Sequence, residues 1–204
     1  MKKLFTTKNL VLMAVFSALA AVLMLFEFPL PAIAPSFYEI DLSEIPVMIG
    51  TFIMGPVSGV IMEVVKILLK LLIKGTSTAY VGDFANFCVG CCLVVPAGII
   101  YRIKKTKKGA LIGLLTGTAV MSIMGVVLNY FIMIPFFAKF YGTPIDKIIA
   151  AGSAIWPVIS DKLSFVIVCV LPFNIIKGVV VSLVTVLVYK HISRFIKGIN
   201  IGKQ

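Results

Sequence analysis

Five polar side chains stand inside otherwise apolar stretches of this sequence: Glu63, Lys66, Asn129, Asn174 and Lys177. A charged or amide group in hydrocarbon costs a few kcal/mol on insertion scales, so each must face a partner or a cavity. Glu63 and Lys66 are three residues apart, hence neighbours on one helix face, which is the spacing of a pair that neutralises itself. Asn174 and Lys177 repeat that spacing in VLPFNIIKGVV, but an amide does not cancel an ammonium group. Pro172 just before them removes a donor and frees a backbone carbonyl. The combination predicts an open polar cleft, against the plainer alternative of an amide bonded to a neighbouring helix. Asn129, in VLNYFIMIPFF, is expected to reach the same cleft. Two amides and a lysine present donors and acceptors that suit the edge of a flat heteroaromatic.

Two loops add groups to that cleft. The stretch PSFYEIDLSEIP mixes Phe37, Tyr38, Ile40 and Leu42 with Glu39, Asp41 and Ser43, too polar for lipid and too apolar to float in water. It is expected to pack over a pocket as a lid; an aromatic anchor at headgroup level is the alternative. The stretch TSTAYVGDFANF brings Gly82, Asp83 and Asn86 toward the same rim, with Gly82 permitting close backbone approach. Helix capping by Asp83 is the plainer reading of that motif.

The elements that position these groups are membrane helices. The chain has 204 residues, of which 60% are hydrophobic and 13% charged, more apolar side chain than a water-soluble core of this size buries. An all-α polytopic membrane protein follows, a single domain over 1–204 with spans at 10–28, 45–54, 57–74, 83–101, 109–135 and 161–189. The break between the second and third spans is placed at Gly55-Pro56, because an unbroken helix would put Lys2, Lys3 and Lys8 across the membrane from Arg102, Lys104, Lys105, Lys107 and Lys108. With the break, six helices leave both termini and both basic clusters in the cytoplasm. Lys190, Arg194 and Lys197 follow the last span on the same side. Glu27, Glu39, Asp41, Glu44, Asp83, Asp146 and Asp161 then all fall at the outer face. Lys70 and Lys74 approach that face and are expected to snorkel to the interface.

Several function classes drop out. The net charge of +11 sits at the ends of apolar runs, which suits anionic lipid headgroups rather than nucleic acid. No G-x-x-x-x-G-K-[ST] loop is present, so the chain does not hydrolyse ATP itself. The only histidine, His191, lies beyond the last span, which removes histidine-based chemistry from the bilayer. Cys88, Cys91, Cys92 and Cys169 all sit in apolar segments and read as structural rather than as a metal site. A self-sufficient secondary carrier would need related halves and midplane acids, and Glu63 is the one acid inside a span. Small-residue stripes at Ala14/Ala18, Gly55/Gly59 and Gly109/Gly113/Gly117 allow close helix contact, mostly internal, with the span-one stripe free to dock a partner.

The Ala14/Ala18 stripe, FYEIDLSEIP, GPVSGVIMEVVKILLKLL, GDFANF, LNYFIMIP and PFNIIKG, taken in order, resemble the substrate-binding S components of energy-coupling factor (ECF) vitamin transporters, of the riboflavin-specific RibU type. The resemblance implies a six-helix, non-enzymatic subunit of the cell membrane that binds riboflavin from outside as its transported ligand, with no cofactor. It also implies a transmembrane coupling protein and two cytoplasmic ATPases as partners, whose hydrolysis topples the S component. By resemblance, Asn129, Asn174 and Lys177 contact the isoalloxazine, Ile40, Asp41, Leu42 and the region of Gly82 line or cover the pocket, and Ala14 and Ala18 meet the coupling protein. Phe37, Leu42 or Tyr130 is expected to cover the ring faces, and Asp41 or Asn86 to meet the ribityl chain. Glu63 departs from the expected pattern, where a small or apolar residue is usual. An S component for thiamine or folate, a secondary carrier and a membrane scaffold are the competing readings.

Overall fold

Proline and glycine set the punctuation of the bundle. The computed structural model describes residues 5–198, with side chains through residue 188. Lys2 and Lys3, and the side chains of Lys190, His191, Arg194 and Lys197, lie outside the described residues. Helix α1 spans Thr7–Met24 and is N-capped by Thr6, whose hydroxyl accepts from Asn9 N. It stops short of the expected 28, because Pro29 pushes the residue before it into extended backbone and cannot itself donate to a helix. Instead Phe28–Pro29 (β1) pairs antiparallel with Glu39–Ile40 (β2), Phe28 opposite Ile40. This two-residue ribbon, the base of the lid loop, was not expected from the sequence.

Helix α2, Glu44–Met54, ends at Gly55, whose φ of 100° suits a residue without a Cβ. Helix α3, Pro56–Lys74, starts with Pro56 in its first turn, where the missing N–H is harmless. The break therefore falls where the sequence places it. With 11 residues α2 rises only about 16 Å, half the hydrocarbon thickness, and does not cross a bilayer alone. Four helices among the described residues are long and apolar enough to do so: Thr7–Met24, Val81–Ile103 (α4), Lys107–Phe140 and Lys162–Val188.

The last two of these are composite. Lys107–Leu128 (α5) passes through one π turn, Asn129–Met133, into Ile134–Phe140 (α6). Lys162–Phe165 (α8) passes through a second, Val166–Val170, into Leu171–Gly198 (α9). Each π turn precedes a proline, Pro135 or Pro172, which can make no hydrogen bond to the turn behind it and would crowd its carbonyl. The wider turn relieves that crowding. The fifth span thus runs past the expected 135, and the segment after it carries a further helix, α7, Ile145–Ser153.

Helix α4 packs chiefly on α5, α5 on α9, and α3 on both α1 and α4. A Cβ at Gly113 would lie 2.8 Å from the Ala97 carbonyl oxygen, and Gly117 faces the Leu93 carbonyl as closely, so this small-residue stripe is an internal seam. Two buried clusters fill the bundle. One joins Met13, Met48, Met62, Leu93, Leu114 and Met121. The other joins Ala34 and Ile40 of the lid loop to Ile134, Phe165, Val166 and Phe173. Part of the loop thus belongs to a core, while Phe37 stays exposed.

A polar seam beneath the lid loop

Asp41 is the pivot of the seam, and sequence reasoning understated it. It follows β2 directly, and the ribbon turns its carboxylate inward, where it is 2% exposed. Its Oδ1 accepts from Ser43 N at 2.8 Å and its Oδ2 receives Lys177 Nζ at 2.9 Å. The expectation that Lys177 lacks an acid to cancel it is therefore corrected: the acid comes from a loop 136 residues away in sequence. Burial disfavours the Asp41 anion, yet the ammonium groups of Lys177 and Lys66, with the Ser43 hydrogen bond, hold its carboxyl far below the usual range.

Beside this pair Lys66 Nζ lies 2.7 Å from Glu44 Oε1 and 2.6 Å from Glu63 Oε2, all three side chains being sealed. Glu63 and Lys66 do neutralise each other, and Glu44 joins them. Gly90 on α4 makes the room: a Cβ there would lie 2.7 Å from Glu63 Oε2 and 3.0 Å from Glu44 Oε1. Lys70 and Lys74 also find acids. Lys70 pairs with Asp83 at 2.6 Å, and Lys74 with Glu27. Asp83 is thus an ion-pair partner and not the helix cap, a position held by Tyr80. Near Lys74, burial and the neighbouring Glu27 carboxylate push the Glu39 carboxyl up.

The amides form the second half of the seam. Tyr38 O–H donates to Asn129 Oδ1 at 2.6 Å, while Asn129 Nδ2 donates to the Gly125 carbonyl at 2.8 Å. Burial pushes the Tyr38 phenol well above its ordinary value, so it remains a donor throughout the working pH range. Asn174 Nδ2 donates to the Val170 carbonyl at 2.8 Å, inside the second π turn. Gly125 brings the two amides together, since a Cβ on it would meet the Asn174 amide at 2.6 Å. The Tyr38 ring lies among Phe37, Phe173 and Phe165, with centroids 5.0, 5.5 and 6.3 Å away. Glu44, Gly90, Gly125, Phe165 and Phe173 escaped the sequence reading. Of these Glu44 carried a signal, as a third carboxylate at the mouth of an apolar run.

Other expected residues stand apart. Ile40 is buried in the second cluster and Leu42 half-buried against the first. Tyr130 is half-buried, with Lys162 Nζ 3.9 Å above its ring centroid. Gly82 N donates to Thr78 Oγ1, and Asn86 Oδ1, four residues on, is buried with no hydrogen-bond partner. Ala14 and Ala18 are exposed on α1, as a docking face requires. A cavity of about 350 Å³ opens at the far end of the bundle, lined by Asn9, Phe52, Gly55, Tyr101, Arg102 and Lys105, and contains none of the expected site residues.

Apolar helices of membrane-crossing length around a polar seam, closed by a loop that is itself part of the core, define a membrane-embedded binding protein. The model of the family "ECF transporter, substrate-specific component" matches residues 8–189, and the chain belongs to that family. It is 35% identical over 193 residues to the riboflavin transporter RibU of Staphylococcus aureus (strain TCH60), covering 94% of each chain. It is 33% identical over 191 residues to the riboflavin transporter FmnP of Bacillus subtilis (strain 168), covering 93% of this chain and 94% of that one. A solved structure described as "Structure and mechanism of the S component of a bacterial ECF transporter" superposes with a TM-score of 0.74 at 34% identity, covering 93% of this chain and 98% of the other. Family and relatives are transporter components, not enzymes.

Proposed function

We propose that this chain is the riboflavin-binding subunit of an ECF transporter in the cell membrane, taking the vitamin from outside and leaving ATP hydrolysis to partner ATPases. In this reading α2 and α3 are embedded beside the four long helices, giving six, with both termini cytoplasmic. The acids of the lid end face outward and Arg102 to Lys108 face inward. The single observation that carries the ligand assignment is the Tyr38 slot: a flat ring sits among Phe165, Phe173 and Phe37 and hydrogen-bonds Asn129 through its edge. An isoalloxazine has the same combination of flat face and polar edge. The names of the relatives support the same ligand.

In this role Asn129 and Asn174 meet the pyrimidine edge, and Lys177, held by Asp41, donates to a ring oxygen or nitrogen. Ile40, Leu42 and Tyr130 cover ring faces, while Asn86, with its free acceptor, and Gly82 receive the ribityl chain. Ala14 and Ala18 dock the coupling protein. Titrating purified protein with riboflavin should quench flavin fluorescence, with thiamine and folate unable to compete; unchanged fluorescence would refute the assignment. Ala14→Trp and Ala18→Trp should bind riboflavin in detergent and abolish uptake in cells, and surviving uptake would move the docking face elsewhere.

A further inference from the structure

The seam does not balance its charges. The ionisable groups that meet around Lys66 come from five segments: Asp41 from the lid loop, Glu44 from α2, Glu63 and Lys66 from α3, the Cys91 thiol from α4 and Lys177 from α9. Among the described residues, three carboxyl groups therefore face two ammonium groups, with the thiol adding no charge. Lys70 and Asp83 close on each other and do not correct the deficit. Glu44 and Glu63 are 1% and 0% exposed. A net negative charge sealed in a low-dielectric interior is strongly unfavourable, and two carboxylates crowded on one site do not both ionise.

Two geometric details say where the deficit is met. Both carboxyl groups press on the same point above Gly90 and share the one Lys66 ammonium. Glu63 Oε1 and Glu44 Oε2 are buried without any hydrogen-bond partner. A proton on one of the two turns an orphaned acceptor into a donor and brings the cluster to neutrality. We infer that the Glu44–Glu63 pair is a proton-binding site, occupied by one buried, shared proton at neutral pH. The inference does not depend on which vitamin the chain binds.

Infrared spectroscopy of the purified full chain at neutral pH tests it. The expected result is a carbonyl band of a protonated carboxylic acid that shifts in D₂O. Glu63→Gln and, independently, Glu44→Gln each leave two carboxylates facing two ammonium groups, so each should abolish the band, whereas Asp161→Asn at the exposed helix cap should keep it. Absence of the band in the unaltered protein, or its survival in either glutamine variant, overturns the proposal. Thermal unfolding gives a second readout. A native state holding a proton that the unfolded chain releases loses stability as pH rises, so the melting temperature should fall from pH 6 to pH 9 and flatten in Glu63→Gln. Stabilisation by sodium over choline at equal ionic strength, with no acid band, would assign the missing charge to an alkali cation and also overturn it.

Discussion

Two buried lysines a short distance apart hold their acids in different ways. Lys66 is fixed between carboxylates of α2 and α3, elements that pack on each other and on α4. Lys177 is fixed by Asp41, which belongs to no helix and is anchored by a two-residue ribbon and one backbone hydrogen bond. The first lysine ties helix to helix; the second ties a helix to a loop. Similar chemistry thus joins two helices in one place and a helix to a loop in the other, and the two acids differ in how much backbone structure holds them.

Substitution of each lysine tests that difference. Lys66→Met strands two acids inside packed helices and should cost about 3 to 5 kcal/mol of stability, read as a large drop in thermal midpoint in detergent. Lys177→Met removes the partner of an acid held only by a two-residue ribbon and one backbone hydrogen bond, so it should weaken flavin binding by about 1 to 3 kcal/mol with a much smaller drop in midpoint. Equal midpoint losses would erase the distinction. Alanine at the two glycines sharpens it at finer scale. Gly90→Ala should destabilise the fold by about 1 to 3 kcal/mol by crowding Glu63, while Gly125→Ala should displace the Asn174 amide and reduce affinity with the fold retained. Tyr38→Phe removes one hydrogen bond from the loop and should lower affinity by about 0.5 to 1.5 kcal/mol, measured by flavin titration. The smallest effect is that of mild acid. The folded Asp41 carboxyl is held below its ordinary value of 3.8, so the stability it adds is complete above that value and is lost only as pH falls below it. Lid closure should be unchanged between pH 7 and 5 as far as Asp41 is concerned, and a break in affinity there would have to come from another group.

The helices were legible because lipid forces apolar length and because Gly55-Pro56 admits little but a break. Five polar intruders were legible for the same reason. The Glu63–Lys66 pairing was legible too, from its three-residue spacing, but the partners supplied by other segments were not. Asp41 and Lys177 are 136 residues apart, and no periodicity announces a pairing made by a loop folding back over the bundle. The acids that meet Lys70 and Lys74 were hidden likewise, since Asp83 and Glu27 lie on other segments and only packing brings them to these lysines. The ribbon at Phe28 and Ile40 is too short to leave a pattern. Gly90 and Gly125 read as ordinary membrane glycines until their neighbours are known.

The widened turns ahead of Pro135 and Pro172 have a bearing on how such a chain tolerates change. Each covers one full rotation of the helix with one residue more than an α turn uses, so the surplus residue is absorbed where it stands. Deleting a single residue from Val166–Val170 would therefore let that turn tighten to α geometry with Asn174 and Lys177 still facing the bundle, whereas the same deletion from an α turn would swing both by about 100° toward lipid. The chain thus carries one residue of slack at each of these two turns, while the side chains of Val166, Cys169 and Val170, all fully buried, leave little room for change in size.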